Sequence, residues 1–82
     1  MTASSNMMAR AEFLAQLQEM LQTDAALTED TALMEMEEWD SLAFMILIAF
    51  FDKHFGKRVT FDDLKNCTTP ADLITLAAGA IA

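Results

Sequence analysis

Apolar residues recur at three- and four-residue spacing in the first quarter of the chain, as on one face of an amphipathic helix. They are Phe13, Leu14, Leu17, Met20 and Leu21, with Glu12, Gln16 and Gln18 between them. The pattern predicts a first helix over about residues 5–22, with Ser4, Ser5 and Asn6 as candidate N-caps. Residues 1–6 are expected to form a flexible N-terminus.

A long connection, residues 23–40, follows the first helix. It is rich in Thr, Asp and Glu but carries spaced apolar residues at Leu27, Leu33, Met34 and Met36. A connection of this length is usually functional or disordered. The regular apolar spacing predicts that it is ordered and lies on the core. Residues 29–40 contain six acids and no base.

The second helix is predicted over residues 41–54, with Gly56 as its C-terminal stop. Its residues 42–51 are apolar on every side, and such a helix must be covered all round. If the core face is formed by Leu47, Ile48, Phe51 and Phe55, the residues that point largely outwards are Ala43, Ile46 and Phe50. Two explanations stay open: a wider core partly covered by the long connection, or a face that docks a partner or a second copy through apolar contact.

The last third of the chain has the clearest helix signals. Thr60 and Asp63 form a capping-box pattern that predicts a short helical turn over residues 60–65. Thr69, Pro70 and Asp72 predict the start of a last helix whose apolar face continues to Ile81. The predicted fold is all-α: a single domain of residues 1–82, arranged as an antiparallel four-helix bundle with a long first connection and a short third helix.

Composition narrows the class of protein. Five basic and thirteen acidic residues give a net charge of −8, which argues against nucleic acid as a partner. The ten-residue apolar run is about half of the ~20 residues needed to span a bilayer, and the N-terminus lacks the apolar stretch of a secretory signal. The single cysteine excludes an internal disulfide and fits a reducing compartment. We therefore expect a soluble, cytoplasmic protein with no membrane contact.

Side chains for catalysis or metal binding are sparse. His54 and Cys67 each stand alone, and the acids do not match a calcium-binding loop. The favoured interpretation of Cys67 is a small buried apolar residue, and that of His54 is a cation at a helix end. The sequence therefore predicts that the protein is not an enzyme.

The remaining candidate is the segment Asp40-Ser41-Leu42, at the junction between the long connection and the second helix. Taken alone, it predicts only a helix cap. In context it belongs to an ordered set of features, which are Leu27, Leu33 and Met36, then Phe51, Phe55 and Val59, then the short 61–65 element, then Thr68-Thr69. Over about residues 10–80 this set resembles the acyl carrier protein family, which includes peptidyl and aminoacyl carriers.

The resemblance implies a cofactor and partners. In that family a separate transferase, with Mg²⁺, moves 4′-phosphopantetheine from coenzyme A to the serine after the aspartate, and Ser41 matches that position. The implied partners are the phosphopantetheinyl transferase, an acyl- or aminoacyl-loading enzyme and downstream biosynthetic enzymes. The expected partner-recognition residues are Asp40, Leu42, Ala43, Met45 and Ile46. Leu47, Phe51 and Leu64 are expected to enclose a core that can receive acyl cargo.

The second helix departs from the family pattern. Fatty-acid carriers usually have acidic residues on its exposed face, whereas here that face is apolar. This difference favours a specialised carrier, for polyketide, nonribosomal peptide or specialised lipid synthesis. Trp39 also resembles carriers of that kind, and it is expected to hold the long connection against the bundle. The alternative is an unmodified helical module that docks a partner through its second helix, and a weak homodimer through the same helix is also left open.

Overall fold

Four helices and their connections make up the part of the chain that the computed structural model describes, residues 8–81. The helices are α1 (Arg10–Leu21), α2 (Ser41–Phe55), α3 (Phe61–Lys65) and α4 (Pro70–Leu76). One turn of 3₁₀ helix, Leu33–Glu35, lies in the connection between α1 and α2. The all-α, four-helix fold with a short third helix is therefore confirmed.

The start of α1 differs from the prediction. The helix begins at Arg10, about five residues later than expected, and Ala9 precedes it in extended backbone. Met8 is also extended, because its N–H donates a hydrogen bond of 2.9 Å to the Ala80 carbonyl and it forms an isolated parallel bridge with Ile81. At Met8, a contact with residues 80 and 81 thus takes the place of the predicted helix.

The predicted apolar face of α1 is correct, since Phe13, Leu17 and Leu21 are buried. The candidate N-caps Ser4, Ser5 and Asn6 lie outside the described residues, as does the whole 1–6 segment that was expected to be flexible.

The long connection is ordered against the domain, as predicted. Leu27 and Leu33 are buried in the core. Two backbone hydrogen bonds tie the connection to the start of α4: Leu33 N–H to the Thr68 carbonyl at 2.9 Å, and Ala71 N–H to the Glu29 carbonyl at 3.1 Å.

Not every apolar residue of the connection lies on the core. Met34 is 60% exposed, because the 3₁₀ turn directs Leu33 inwards and its neighbour outwards. Met36 is half-buried and packs against the core.

Helix α2 ends as predicted at Gly56, whose φ of +64° gives the left-handed C-cap. The outward orientation expected of Ala43 and Phe50 is wrong: they are only 3% and 8% exposed. Helix α1 covers this side of α2, and the rings of Phe13 and Phe50 have centroids 6.2 Å apart. The wider core is therefore the correct explanation for these two residues, and α1 supplies the cover at Phe50.

The short helix α3 begins with the predicted capping box. The Asp63 N–H donates to the Thr60 hydroxyl at 3.1 Å, and the Thr60 N–H donates to the Asp63 carboxylate at 3.0 Å. Two of the N–H donors that lack an acceptor within the helix at this start are thereby satisfied.

Helix α4 starts at Pro70 as predicted but ends at Leu76, before the predicted Ile81. Ala78 and Gly79 have positive φ values of 53° and 94°, which break the helix. Ile81 is nevertheless buried, because the bridge to Met8 carries it back onto the core.

Candidate functional site

The junction between the long connection and α2 is fixed by Asp40. Its backbone is extended (φ −136°, ψ −174°), and its carboxylate accepts a hydrogen bond of 3.1 Å from the Ala43 N–H. Its carbonyl accepts the first intrahelical bond, from the Phe44 N–H at 3.0 Å. Asp40 is therefore the N-cap, and Ser41 is the first residue of the helix.

Ser41 is exposed at this helix start. The N–H groups of Ser41 and Leu42 precede the first intrahelical bond, so they have no partner inside the helix. Together with the positive end of the helix dipole, they make the surroundings of the Ser41 hydroxyl favourable for an anion. The arrangement suits a serine that carries a phosphate ester.

A series of edge-on contacts between three aromatic rings packs against this junction. The Trp39 indole packs edge-on against Phe44 with centroids 4.9 Å apart, and Phe44 packs edge-on against Phe61 at 5.7 Å. Trp39 thus holds the long connection against the helices, as expected. Its Nε1–H is buried and has no hydrogen-bond partner within residues 8–81, a feature that no sequence pattern predicts.

The residues expected to recognise partners do not share one environment. Leu42 and Met45 are 66% and 60% exposed, Asp40 is exposed, and Ile46 is half-buried. Ala43 is buried, because the α1 side of α2 is covered, so its side chain is not available to a partner. Its contribution at this junction is the backbone N–H that Asp40 caps.

Two surface cavities flank α2. The larger, of about 550 Å³, lies between α2 and residues 58–60, where Met45, Ile48 and Val59 form apolar walls beside Asp52 and Arg58. The smaller, of about 200 Å³, lies between the end of α1 and the start of α2, next to Ser41. Residue spacing alone did not indicate either cavity, because each lies between two separate segments of the chain.

Cys67 is the only cysteine of the chain and it is buried, as expected. Its thiol donates a hydrogen bond of 3.3 Å to the Asp63 carbonyl. Burial, with smaller contributions from the negative charges of Asp72 and Asp63, raises the pKa of the Cys67 thiol to about 11. The thiol is therefore protonated at neutral pH and is a weak nucleophile.

Asp72 organises the start of α4. Its carboxylate accepts hydrogen bonds from the Thr68 N–H at 2.8 Å, the Thr68 hydroxyl at 3.0 Å and the Thr69 N–H at 3.3 Å. These bonds lower the pKa of the Asp72 carboxyl, and the hydrogen bond from the Thr68 backbone contributes most. The role of this carboxylate is structural.

His54 lies in the last turn of α2, the helix-end position that was expected for it. Its exposed ring is 4.4 Å from the ring of Phe50, centroid to centroid. Within residues 8–81, no three potential ligands among His, Cys, Asp and Glu are grouped closely enough to hold a metal ion. None of the helices described there has the length and apolar character needed to cross a membrane.

These features define a small helical domain with an exposed serine at the start of its central helix. The family model for the phosphopantetheine attachment site matches residues 11–77, which is most of the chain. The chain therefore belongs to the phosphopantetheine attachment site family, in agreement with the resemblance to acyl carrier proteins. Comparisons with curated proteins and with solved structures give no match.

Membership of this family defines the biochemical class. Its members bear 4′-phosphopantetheine covalently on a serine and carry intermediates without catalysing reactions themselves. The chain is accordingly a carrier protein and not an enzyme. Carriers of this kind work with phosphopantetheinyl transferases and biosynthetic enzymes.

Proposed function

We propose that Ser41 is the residue to which 4′-phosphopantetheine is attached. The observation that carries this proposal is that Ser41 is the only serine within residues 11–77, the span of the family match. The other serines, Ser4 and Ser5, precede that span. Ser41 is also exposed at the first position of α2, where an enzyme can reach its hydroxyl.

The surroundings of Ser41 fit a phosphodiester. The unpaired N–H groups at the start of α2 favour its negative charge. The Asp40 carboxylate is held by the Ala43 N–H, so the helix start is organised before modification. When bound, the arm supplies a thiol that holds an acyl group as a thioester, and the protein supplies attachment and recognition.

The exposed face of α2 supports a partner-recognition role for four residues: Asp40, Leu42, Met45 and Ile46. Leu42 and Met45 are apolar and largely exposed, and they lie one and four residues after Ser41. Apolar contact there would dock a transferase, a loading enzyme and downstream biosynthetic enzymes, with charge guiding their approach.

We place the carrier in specialised biosynthesis, with acyl or aminoacyl cargo of polyketide, nonribosomal peptide or specialised lipid type. The support is the apolar character of the exposed α2 face, where a fatty-acid carrier would have acids. The same proposal treats residues 1–82 as one carrier domain that acts in the cytoplasm. The single cysteine agrees with that compartment.

The deciding experiment is an intact mass spectrum after incubation with coenzyme A, Mg²⁺ and a broad-specificity phosphopantetheinyl transferase. The wild type should gain the mass of one phosphopantetheine. Ser41→Ala should gain none, while the matched control Ser4→Ala/Ser5→Ala should be modified like the wild type. If Ser41→Ala is still modified, the assignment to Ser41 is wrong.

The same experiment tests the alternative function. A folded wild-type protein that gains no mass would favour an unmodified module that docks a partner through α2. The specific observation behind this alternative is the exposure of Leu42 and Met45 on one side of that helix.

A further inference from the structure

The larger cavity lies on the same stripe of α2 as Ser41. The residues of α2 that line it are Met45, Ile48, Ala49 and Asp52. Met45 follows Ser41 by one helical turn, and Asp52 lies two turns further on. Residues at this spacing share one face of a helix. The cavity therefore extends along α2 from the candidate attachment site.

The length of this stripe matches the length of the arm. Asp52 is eleven residues beyond Ser41, which corresponds to about 16 Å along the helix axis. A phosphopantetheine arm has about as many chain atoms as four to five amino-acid residues, so it also spans roughly 16 Å when extended. An arm that lies along α2 thus brings its thiol, and the cargo bound there, to the end of the cavity that Asp52 lines.

The cavity combines apolar walls with two charges of opposite sign. Ile48 and Val59 contribute apolar surface, and the charged lining residues are Asp52 and Arg58, which are both exposed. Within residues 8–81, neither of these two side chains forms an ion pair, even with the other. An occupant that fits the cavity therefore covers apolar surface and also offers one group to a carboxylate and another to a guanidinium.

Three classes of cargo differ in how they meet these two charges. A saturated acyl thioester offers its carbonyl oxygen to Arg58 but nothing to Asp52, so it removes water from that carboxylate without replacing it. A carboxyacyl thioester brings a second carboxylate close to Asp52, which repels it. An aminoacyl thioester offers its ammonium group to Asp52 and its carbonyl oxygen to Arg58, and its side chain can cover the apolar walls.

We propose that the cargo of this carrier is an aminoacyl group, which Asp52 binds through its ammonium and Arg58 through its carbonyl oxygen. The inference rests on the proposed function of Ser41 and selects one class among the cargoes that this function allows. The cavity volume of about 550 Å³ corresponds to roughly eighteen water molecules at ~30 Å³ each. This is room for an aminoacyl group together with the end of the arm.

The test compares two cargoes of similar size, valyl and isovaleryl, which differ in the amino group. A broad-specificity transferase loads each from the matching coenzyme A derivative: the phosphodiester forms at Ser41 and the nucleotide bisphosphate leaves. An arm that ends in an amine in place of the thiol holds the cargo as an amide, which prevents its loss by hydrolysis. Intact mass confirms loading, and circular dichroism follows thermal unfolding. We expect the valyl form to unfold about 2–4 °C above the isovaleryl form, with a smaller gap at high salt.

Matched variants separate binding at the cavity from the general effect of one added positive charge on an acidic protein. Asp52→Asn should abolish the gap between the two loaded forms, whereas Asp24→Asn, at an exposed residue that does not line the cavity, should retain it. Arg58→Gln should lower the unfolding temperature of both loaded forms relative to the unloaded protein, because both cargoes carry the carbonyl oxygen. Lys65→Gln, which removes an exposed charge outside the cavity, is the control for Arg58→Gln.

Several results would overturn the inference. If Ser41 is loaded but the valyl and isovaleryl forms unfold at the same temperature, Asp52 does not bind an ammonium group, and the role of Ser41 stands. A gap that persists unchanged in Asp52→Asn leads to the same conclusion. If a succinyl-loaded form is the most stable of the three, the cavity selects carboxyacyl cargo. If the wild type accepts no arm at all, the proposed function itself fails.

Discussion

The carboxylate of Asp40 lies 3.1 Å from the backbone nitrogen of Ala43, and this hydrogen bond sets the first turn of α2. Ser41 and Leu42 lie between the cap and the buried Ala43, and both are exposed. A local capping interaction therefore determines how the candidate attachment serine is presented.

Asp40→Ala should destabilise the domain by about 1 kcal/mol, since it removes the side-chain acceptor of the N-cap. Asp40→Asn should retain most of the stability, because its amide oxygen can accept the same bond. Urea unfolding followed by far-UV circular dichroism measures both. Equal stability of Asp40→Ala and wild type would contradict the assignment of Asp40 as the cap.

Leu47→Ala should cost about 3 kcal/mol, because Leu47 is fully buried and its truncation leaves a cavity. Leu42→Ala, on the same helix but exposed, should change the free energy of unfolding by less than about 0.5 kcal/mol. The same urea titrations check both values. A large loss in Leu42→Ala would mean that this side chain packs in the fold and does not face partners.

Cys67 should be nearly inert toward thiol reagents in the folded protein. Its pKa is raised from 9.0 to about 11, so at pH 8 its thiolate fraction is about a hundredfold lower than that of an unshifted thiol. Labelling with a disulfide reagent should then give no fast thiol before attachment of the arm and one fast thiol after it. Guanidinium should expose Cys67 as an additional fast thiol.

The same shift gives Cys67 a defined effect on stability. Its folded-state pKa lies above the unfolded value of 9.0. The contribution of the protonated thiol to the free energy of unfolding is therefore fully present below pH 9, and it is lost as the pH rises towards 11. Cys67→Ala should remove this alkaline part of the pH dependence. Thermal unfolding of both proteins between pH 8 and 11 measures this dependence. The prediction is contradicted if the unfolding temperature falls equally with pH in the wild type and in Cys67→Ala.

Asp72 should make folding sensitive to acid. Its pKa is lowered from 3.8 in the folded state, so its stabilising contribution is present above that value and is lost as the pH falls through the lower, folded pKa. Asp72→Asn should be less stable than wild type at pH 7, and the difference should shrink below pH 4. Asp24→Asn, which removes an exposed carboxylate, is the control. A difference that persists unchanged at low pH would exclude this mechanism.

The sequence predicted the elements whose ends are set by local interactions. The starts of α2, α3 and α4 depend on Asp40, Thr60 and Thr69-Pro70, and the end of α2 depends on Gly56. Each of these signals acts within three or four residues, so it can be read from the sequence.

The errors occurred where distant segments meet. The start of α1 and the end of α4 depend on the pairing of Met8 with Ile81, which no local pattern reveals. The burial of Ala43 and Phe50 depends on how α1 packs across α2, and an all-apolar helix carries no signal for that choice. The small cavity was missed for the same reason.

The candidate site was also predicted only in part from the sequence. Family resemblance singled out Ser41, and the family match supports the carrier class, while the attachment itself stays a prediction for mass spectrometry. The exposure of Leu42 and Met45 is compatible with a role in partner recognition. The side chain of Ala43 is buried, so it cannot contact a partner.

The bridge between Met8 and Ile81 brings both ends of the described chain to one side of the domain. A pulling force applied to the two ends would act on this bridge first, before it reached the helices. A short linker from residue 81 to residue 8 would close the backbone into a ring. New ends could then be opened within the exposed residues 24–26, giving a circular permutant that keeps all four helices of the described chain intact.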